Sequence, residues 1–497
     1  MKNYLNQAQT ILRKTIFFAI FALALVSCNE NMPNATVKIG NLYYDLYFNK
    51  KEAEVTAWSK RTDENIKTLE TADIPETIEY CGTTYTVTGI RNYAFEWCEN
   101  LKSVSIPNTV VRIGIWAFND CYELTSITIP NSVKSIGEYA FSDCKNLRQV
   151  TFGDGLEKIE AHAFEGCSSL ISICIPDGIT DIDYGTFCAC TSLESITIPK
   201  SVTIINENVI DGCISLKSIV VDPLNTIYDS RDNCNAIIET ASNTLIAGCS
   251  KTIVPNSVTN IGSRAFNNCS SLDSIIIPNS VTTIGNYAFC SSGLQKLTIG
   301  DGVSSIGDFA FLDCHNLQSI TIPDNVTSIG RGAFADCDTL QTITLPNGLA
   351  SIENGTFSGC EKLESVIIPN SVTRIGQSAF SECYALKSLS IGNNVSTIES
   401  LAFKYCAQLE SINFPSSVTN VGALAVAGCY NLTSIKCYAT IPPKIIEYIT
   451  PDHHGGSYTY VELGENCSNI TLYVPAGSVE AYKKAQQWKD FGSILPL

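Results

Sequence analysis

The chain has 497 residues and carries 32 lysines and arginines against 49 aspartates and glutamates, a net charge of −17. Such an acidic surface repels polyanions, which excludes nucleic acid and bare anionic membrane as partners. Only 16% of the residues are charged and 45% are apolar, so there is ample material for a core.

Lys2, Arg13 and Lys14 precede an apolar run from Thr15 to Val26. The run is too short to span a bilayer and is predicted to be the h-region of a signal peptide over residues 1–27. It closes on Leu25, Val26, Ser27 and Cys28, which resembles a bacterial lipobox. The resemblance implies lipidation of Cys28, against an ordinary signal peptide whose cysteine is incidental. No later stretch is long and apolar enough to cross a membrane, so that lipid would be the membrane anchor. Residues 28–100 follow as a linker and a β-rich cap, carrying the runs Tyr43 to Phe48 and Thr84 to Phe95.

From Leu101 to Asn431 one unit returns: twelve copies of 23 residues, one of 22 and one of 33. A fixed period of this kind predicts a solenoid, because one unit cannot bury its apolar face without its neighbours. In the unit that opens at Leu124, Ile127 and Ile129 share a face with that leucine while Ser126 and Thr128 point away, so a short strand of a parallel sheet is expected. Pro130 ends the strand and Asn131-Ser132 turns the chain. Val133 and Ile136 return to the core on a second short extended run, and Ala140-Phe141 fills the far side.

Thirteen of the 22 cysteines stand three residues after the phenylalanine position. Stacked thiols on parallel strands run side by side instead of converging, which is poor disulfide geometry. They are expected to be buried free thiols that fill an inward position, with a ladder of disulfides as the alternative.

The 33-residue unit from Leu216 holds Asn235 to Gly248, two β-like runs around a polar turn, predicted as a hairpin protruding from the stack near 222–248. Residues 432–497 lose the period and are expected to form an α/β cap. There a helix following Ser478 as its N-cap, together with Trp488, would lid the last coil.

The reading L-x-x-I-x-I-P-x-x-V-x-x-I-G-x-x-A-F-x-x-C resembles the BspA-like class of bacterial leucine-rich repeats. The fold class this implies is a repeat solenoid, a right-handed leucine-rich repeat coil with a parallel β-sheet. The resemblance further implies a secreted or surface lipoprotein, on the outer membrane or cell surface, that binds host matrix proteins, host cells or other bacteria. It implies no catalytic residues and no cofactors.

Enzyme motifs such as H-E-x-x-H, G-x-S-x-G and the Walker loop are absent. His453 and His454 in PDHHGG are read as a polar loop over a metal site with Asp452, and Asp229, Arg231 and Asp232 as turn chemistry over a cation site. Serines and threonines carpet the outward strand positions, a solvated face or a low-specificity binding face.

Two residues before the phenylalanine, successive units place Tyr93, Trp116, Tyr139 and His162, with Tyr184 one residue out of register in the next; Tyr287 and Phe309 recur later. Stacking is expected to align the first four into an aromatic ridge. It serves either a partner or only its own stability. Further on the same position holds Gly332, Gly355 and Ser378, so a functional ridge maps to the N-terminal half. The expected function is a non-catalytic, lipid-anchored scaffold for protein binding and adhesion. A glycan-binding surface protein and an inert envelope component are the alternatives.

Overall fold

The computed structural model describes residues 32–57, 68–451, 457–465 and 467–497. The predicted signal peptide, Cys28 and the His453-His454 pair lie outside the described residues. The chain divides into two compact units, Met1–Cys167 and Ser168–Leu497, and each is a stack of coils bearing two parallel ladders.

The first unit opens on an antiparallel meander, Ala35–Ile39, Leu42–Tyr47 and Glu52–Thr56. Its last strand pairs in parallel with Thr83–Ile90, which in turn pairs with Arg112–Ile113, Ser135–Ile136 and Lys158–Ile159 in succession. This is the ladder of the second extended run. The first run builds the other: Thr71–Asp73 pairs with Ser103–Ser105, and Ser126–Ile129 with Gln149–Phe152, Ile127 facing Val150. Coiling therefore starts some thirty residues before Leu101, where the repeat consensus is not yet readable.

Asp45 and Glu54, both buried, sit at the base of this stack. Arg112 makes a bidentate contact with Glu54 at 2.7 and 2.8 Å, Tyr47 donates to Glu54 at 2.9 Å, and Arg91 pairs with Asp45 at 2.5 Å. Two charges removed from water are tolerable only with such saturated pairing.

Inside a coil the alternation read from the sequence is realised. Leu124, Ile127, Ile129, Val133, Ile136, Ala140, Phe141 and Cys144 are at most 2% exposed, while Ser126 and Thr128 face solvent. The phenylalanines stack coil on coil: Phe95 on Phe118 at 4.9 Å and Phe118 on Phe141 at 5.0 Å, nearly parallel. Each ring thus buries both faces against its own kind.

The second unit repeats the scheme. Its phenylalanine column runs from Phe266 through Phe289, Phe311, Phe334, Phe357 and Phe380 to Phe403. The inserted segment does not protrude. Ala236–Glu239 and Thr244–Gly248 form the expected antiparallel hairpin, but Thr244–Gly248 then pairs in parallel with Asn260–Ile261 and continues the ladder through Thr283–Ile284. A free hairpin would expose two edges; laid into the ladder, it supplies the coil's missing second strand.

At the C-terminal end Ser434–Cys437, Thr471–Val474 and Ser493–Pro496 extend the first ladder beyond the regular repeats. The helix is short, Val479–Lys484, and Ser478 does not cap it with its side chain: its hydroxyl donates to the Thr440 carbonyl at 2.8 Å. Tyr482 and Trp488 are fully buried, with the Trp488 indole N–H bonded to Pro443 O at 2.8 Å, closing the last coil. Among the described residues no helix is long and apolar enough to cross a membrane.

Candidate functional site

The corner after each second strand carries the candidate site. In the coil of Phe141, Gly137–Cys144 winds through turns closed by Ala140 N–H to Gly137 O, Ser142 N–H to Tyr139 O and Cys144 N–H to Phe141 O. The alternate N–H groups, those of Tyr139, Phe141 and Asp143, point the other way. They donate to Ala161, Ala163 and Glu165 of the next coil at 2.7–3.1 Å. This zigzag needs left-handed backbone at two residues per corner, here Tyr139 (φ 53°) and Asp143 (φ 55°).

The ridge position is thus a strained position. Tyr93, Trp116, Tyr139 and His162 all have φ between 53° and 64°, a region costing a residue with a Cβ about 1 kcal/mol or more. Gly332 and Gly355 occupy the same backbone conformation without that cost.

The structure brings three of the four residues together. Trp116 stacks on Tyr139 and Tyr139 on His162, each with ring centres 4.5 Å apart. His162 Nδ1 lies 2.9 Å from the Glu165 carboxylate. Tyr93 is 43% exposed and makes no ring contact with Trp116. In the second unit Tyr184 leaves the left-handed position to Gly185 (φ 60°), and its hydroxyl accepts from Asn208 Nδ2 at 2.6 Å.

A parallel column was missed. Trp97 and Asp120, each one residue before a ladder cysteine, occupy the second left-handed position of their corners. The Trp97 indole donates to Asp120 at 3.0 Å, and Lys145 covers the Tyr122 ring at 4.7 Å. The hydrogen bond with Asp120 pushes the Tyr122 phenol up to about 12. Burial, with the charge of Asp120 behind it, raises the Asp143 carboxyl. The period that revealed the ridge would have revealed this column, had residues around the cysteine been aligned as well.

The second unit has its own short ridge: Arg264 over Tyr287 at 4.7 Å, then Tyr287 on Phe309 at 5.1 Å. It stops at Gly332, where a Cβ would meet the Phe309 ring at 2.5 Å.

The cysteines have a more specific part than filling space. The thiols of Cys121, Cys144 and Cys167 donate to the carbonyls of Phe95, Phe118 and Phe141, each one coil back and each 3.2 Å away; the second unit repeats this from Cys337 to Cys429. Among the described residues no cysteine is joined in a disulfide. Burial pushes the Cys98 thiol up to about 12 and raises those of Cys121, Cys144, Cys360 and Cys383 as well, whereas hydrogen bonding from Cys337 lowers that of Cys314.

Asp229, Arg231 and Asp232 belong to a turn: Arg231 clasps Asp229 at 2.6–2.8 Å and reaches Asn243 at 2.8 Å. Among the described residues no three His, Cys, Asp or Glu side chains gather as a metal site.

The family model for the BspA type leucine rich repeat region matches residues 64–127, 113–235, 244–349 and 327–448. No curated protein matches the chain. Among solved structures, a leucine-rich repeat protein from Bacteroides ovatus is 24% identical, with a TM-score of 0.53 and coverage of 93% of this chain and 99% of that one. One from Eubacterium ventriosum is 22% identical, also at 0.53, covering 85% and 100%. At such identities the likeness is one of fold.

Proposed function

Since this chain belongs to the BspA-type leucine-rich repeat family, we propose that it is a non-catalytic scaffold displayed outside the bacterial cytoplasm, lipid-anchored at Cys28, where it binds protein partners in adhesion. The observation that carries this reading is the stack of Trp116, Tyr139 and His162. Large rings are held at backbone positions where other coils place glycine, and strain kept in this way is found where function selects it. Rigid aromatic side chains fixed by their neighbours lose little entropy on docking, which suits them to protein contact.

The Trp97, Asp120 and Tyr122 column adds hydrogen-bonding groups close by in the same corners. The partner class is a protein of the host matrix, the host cell surface or another bacterium. The test is capture of purified matrix and bacterial surface proteins by the chain and by a ridge-less Trp116→Gly, Tyr139→Gly, His162→Gly variant, with glycans in the same panel. Protein capture lost in the variant supports the reading. A glycan bound in place of protein, or silence throughout, opposes it.

A further inference from the structure

The coil that carries the inserted segment lacks its corner. In complete coils three alternate corner N–H groups donate to three alternate carbonyls of the following coil: Gly185, Phe187 and Ala189 meet Glu207, Val209 and Asp211, and Arg264, Phe266 and Asn268 meet Asn286, Ala288 and Cys290. Between these two sets the donors of the intervening corner, Asn208, Ile210 and Gly212, find no acceptor, because the residues that would supply it have been replaced by the hairpin. On the facing wall the Ala265 carbonyl is taken by Gly248 N–H at 2.8 Å, while those of Ser263 and Asn267 receive no backbone donor. Asn208 Oδ1 is buried and also lacks a partner.

A cleft of about 330 Å³ occupies the place of the missing corner and is lined by these residues. Its size lies within the range of ligand sites, about 300–1,000 Å³. Side chains brace its two ends: Asp211 accepts from Asn267 and Asn268 at 2.8 and 3.0 Å, and Arg264 approaches Glu207 at 3.8 Å.

We propose that this cleft is a peptide-binding slot, in which a segment of a partner protein docks as the missing corner. The residues that carry these three N–H groups are only half-buried, so the groups stay open to a ligand, and they have the spacing that elsewhere in the molecule meets carbonyls two residues apart along one wound corner. A single compact anion would satisfy one of them and would face Glu207, Asp211 and Glu239. A peptide satisfies all three, by the strand addition that exposed ladder edges favour, and the acidic lining selects one with lysine or arginine beside the bound stretch. The slot lies in the second unit and deepens the protein-binding reading without depending on the ridge.

The test is panning of phage-displayed random dodecapeptides on the full chain, followed by binding and hydrogen exchange with the recovered peptide. In the free protein the Asn208–Gly212 amides should exchange faster than those of Gly185–Ala189, and the peptide should protect them. A chimera in which Leu317–Thr339 replaces Leu216–Gly248 restores the corner and should lose binding. Asn208→Gly keeps the left-handed backbone (φ 60°), removes the buried oxygen and should weaken binding about tenfold; it decides the matter should the chimera not fold. Ridge variants should bind the peptide unchanged, so a failed ridge and a failed slot are distinguishable. No peptide enriched, or one that protects other amides, overturns the proposal.

Discussion

The thiol of Cys144 donates to the carbonyl oxygen of Phe118, 26 residues earlier and one coil back, at 3.2 Å. That carbonyl belongs to a fully buried residue and also accepts the Cys121 N–H at 3.3 Å, which leaves its second lone pair to the thiol. A small donor that tolerates an apolar setting is needed there, and a thiol meets both conditions.

Cys144→Ala should therefore cost about 1–2 kcal/mol, since it removes one of the two donors to the Phe118 carbonyl and empties a small volume. Cys144→Ser retains a donor and should cost less than Cys144→Ala. Urea unfolding of the two variants beside the parent checks the order; a harmless Cys144→Ala would mean that the thiol only fills space.

The same column sets an alkaline limit. A thiol whose ordinary value of 9.0 is pushed up to about 12 in the fold, as at Cys98, releases its proton more readily in the unfolded chain. The stability it contributes is complete below about pH 9 and is lost as pH climbs from 9 towards 12. Many stacked thiols act together, so melting temperature should be flat from pH 7 to 8.5 and fall steeply above pH 9. At pH 8 a thiol reagent should modify the exposed Cys81 and Cys174 and the half-buried Cys188 quickly and the column only in denaturant.

At the ridge, Trp116→Gly should leave the fold intact, because glycine adopts φ 57° without strain and offsets part of the lost stacking, worth about 0.5–1.5 kcal/mol per pair. Trp116→Val places a β-branched side chain at the same backbone position and should be less stable than Trp116→Gly by about 1–2 kcal/mol. Comparing the two by thermal melts separates backbone strain from ring contact.

Much of the fold was legible in the sequence because the repeat states each packing decision many times over. Leu124, Ile127 and Ile129 give the strand, and Val133 and Ile136 the return. Where the consensus fades, pairing persists: Thr83–Ile90 keeps only Val87 and Ile90 of the motif and Thr71–Asp73 coils without it, beside the contact of Arg112 with Glu54. Those partners are 58 residues apart, and no local pattern links them.

The hairpin was legible as a hairpin, but its absorption into the ladder was not, since that depends on Thr244 and Leu245 finding Asn260 and Ile261 across a register set by the whole stack. Ridge membership followed from the period alone. The left-handed backbone beneath it did not, because tyrosine and tryptophan give no hint of positive φ; only Gly332 and Gly355, aligned with them, carried that signal.

Lipid attachment at Cys28 predicts incorporation of a labelled fatty acid when the full chain is expressed in a bacterium, and loss of the label, with release from the membrane fraction, in Cys28→Ser. Labelling that survives the substitution would count against the anchor.

The most direct measurement of the account is surface-immobilised binding of matrix and bacterial surface proteins to the full chain, read beside the Trp116→Gly, Tyr139→Gly, His162→Gly variant after both are shown to melt as folded proteins. The account predicts at least one protein bound by the parent and about a hundredfold weaker with the variant, as expected when central aromatic anchors are removed. Equal binding by both proteins would contradict it.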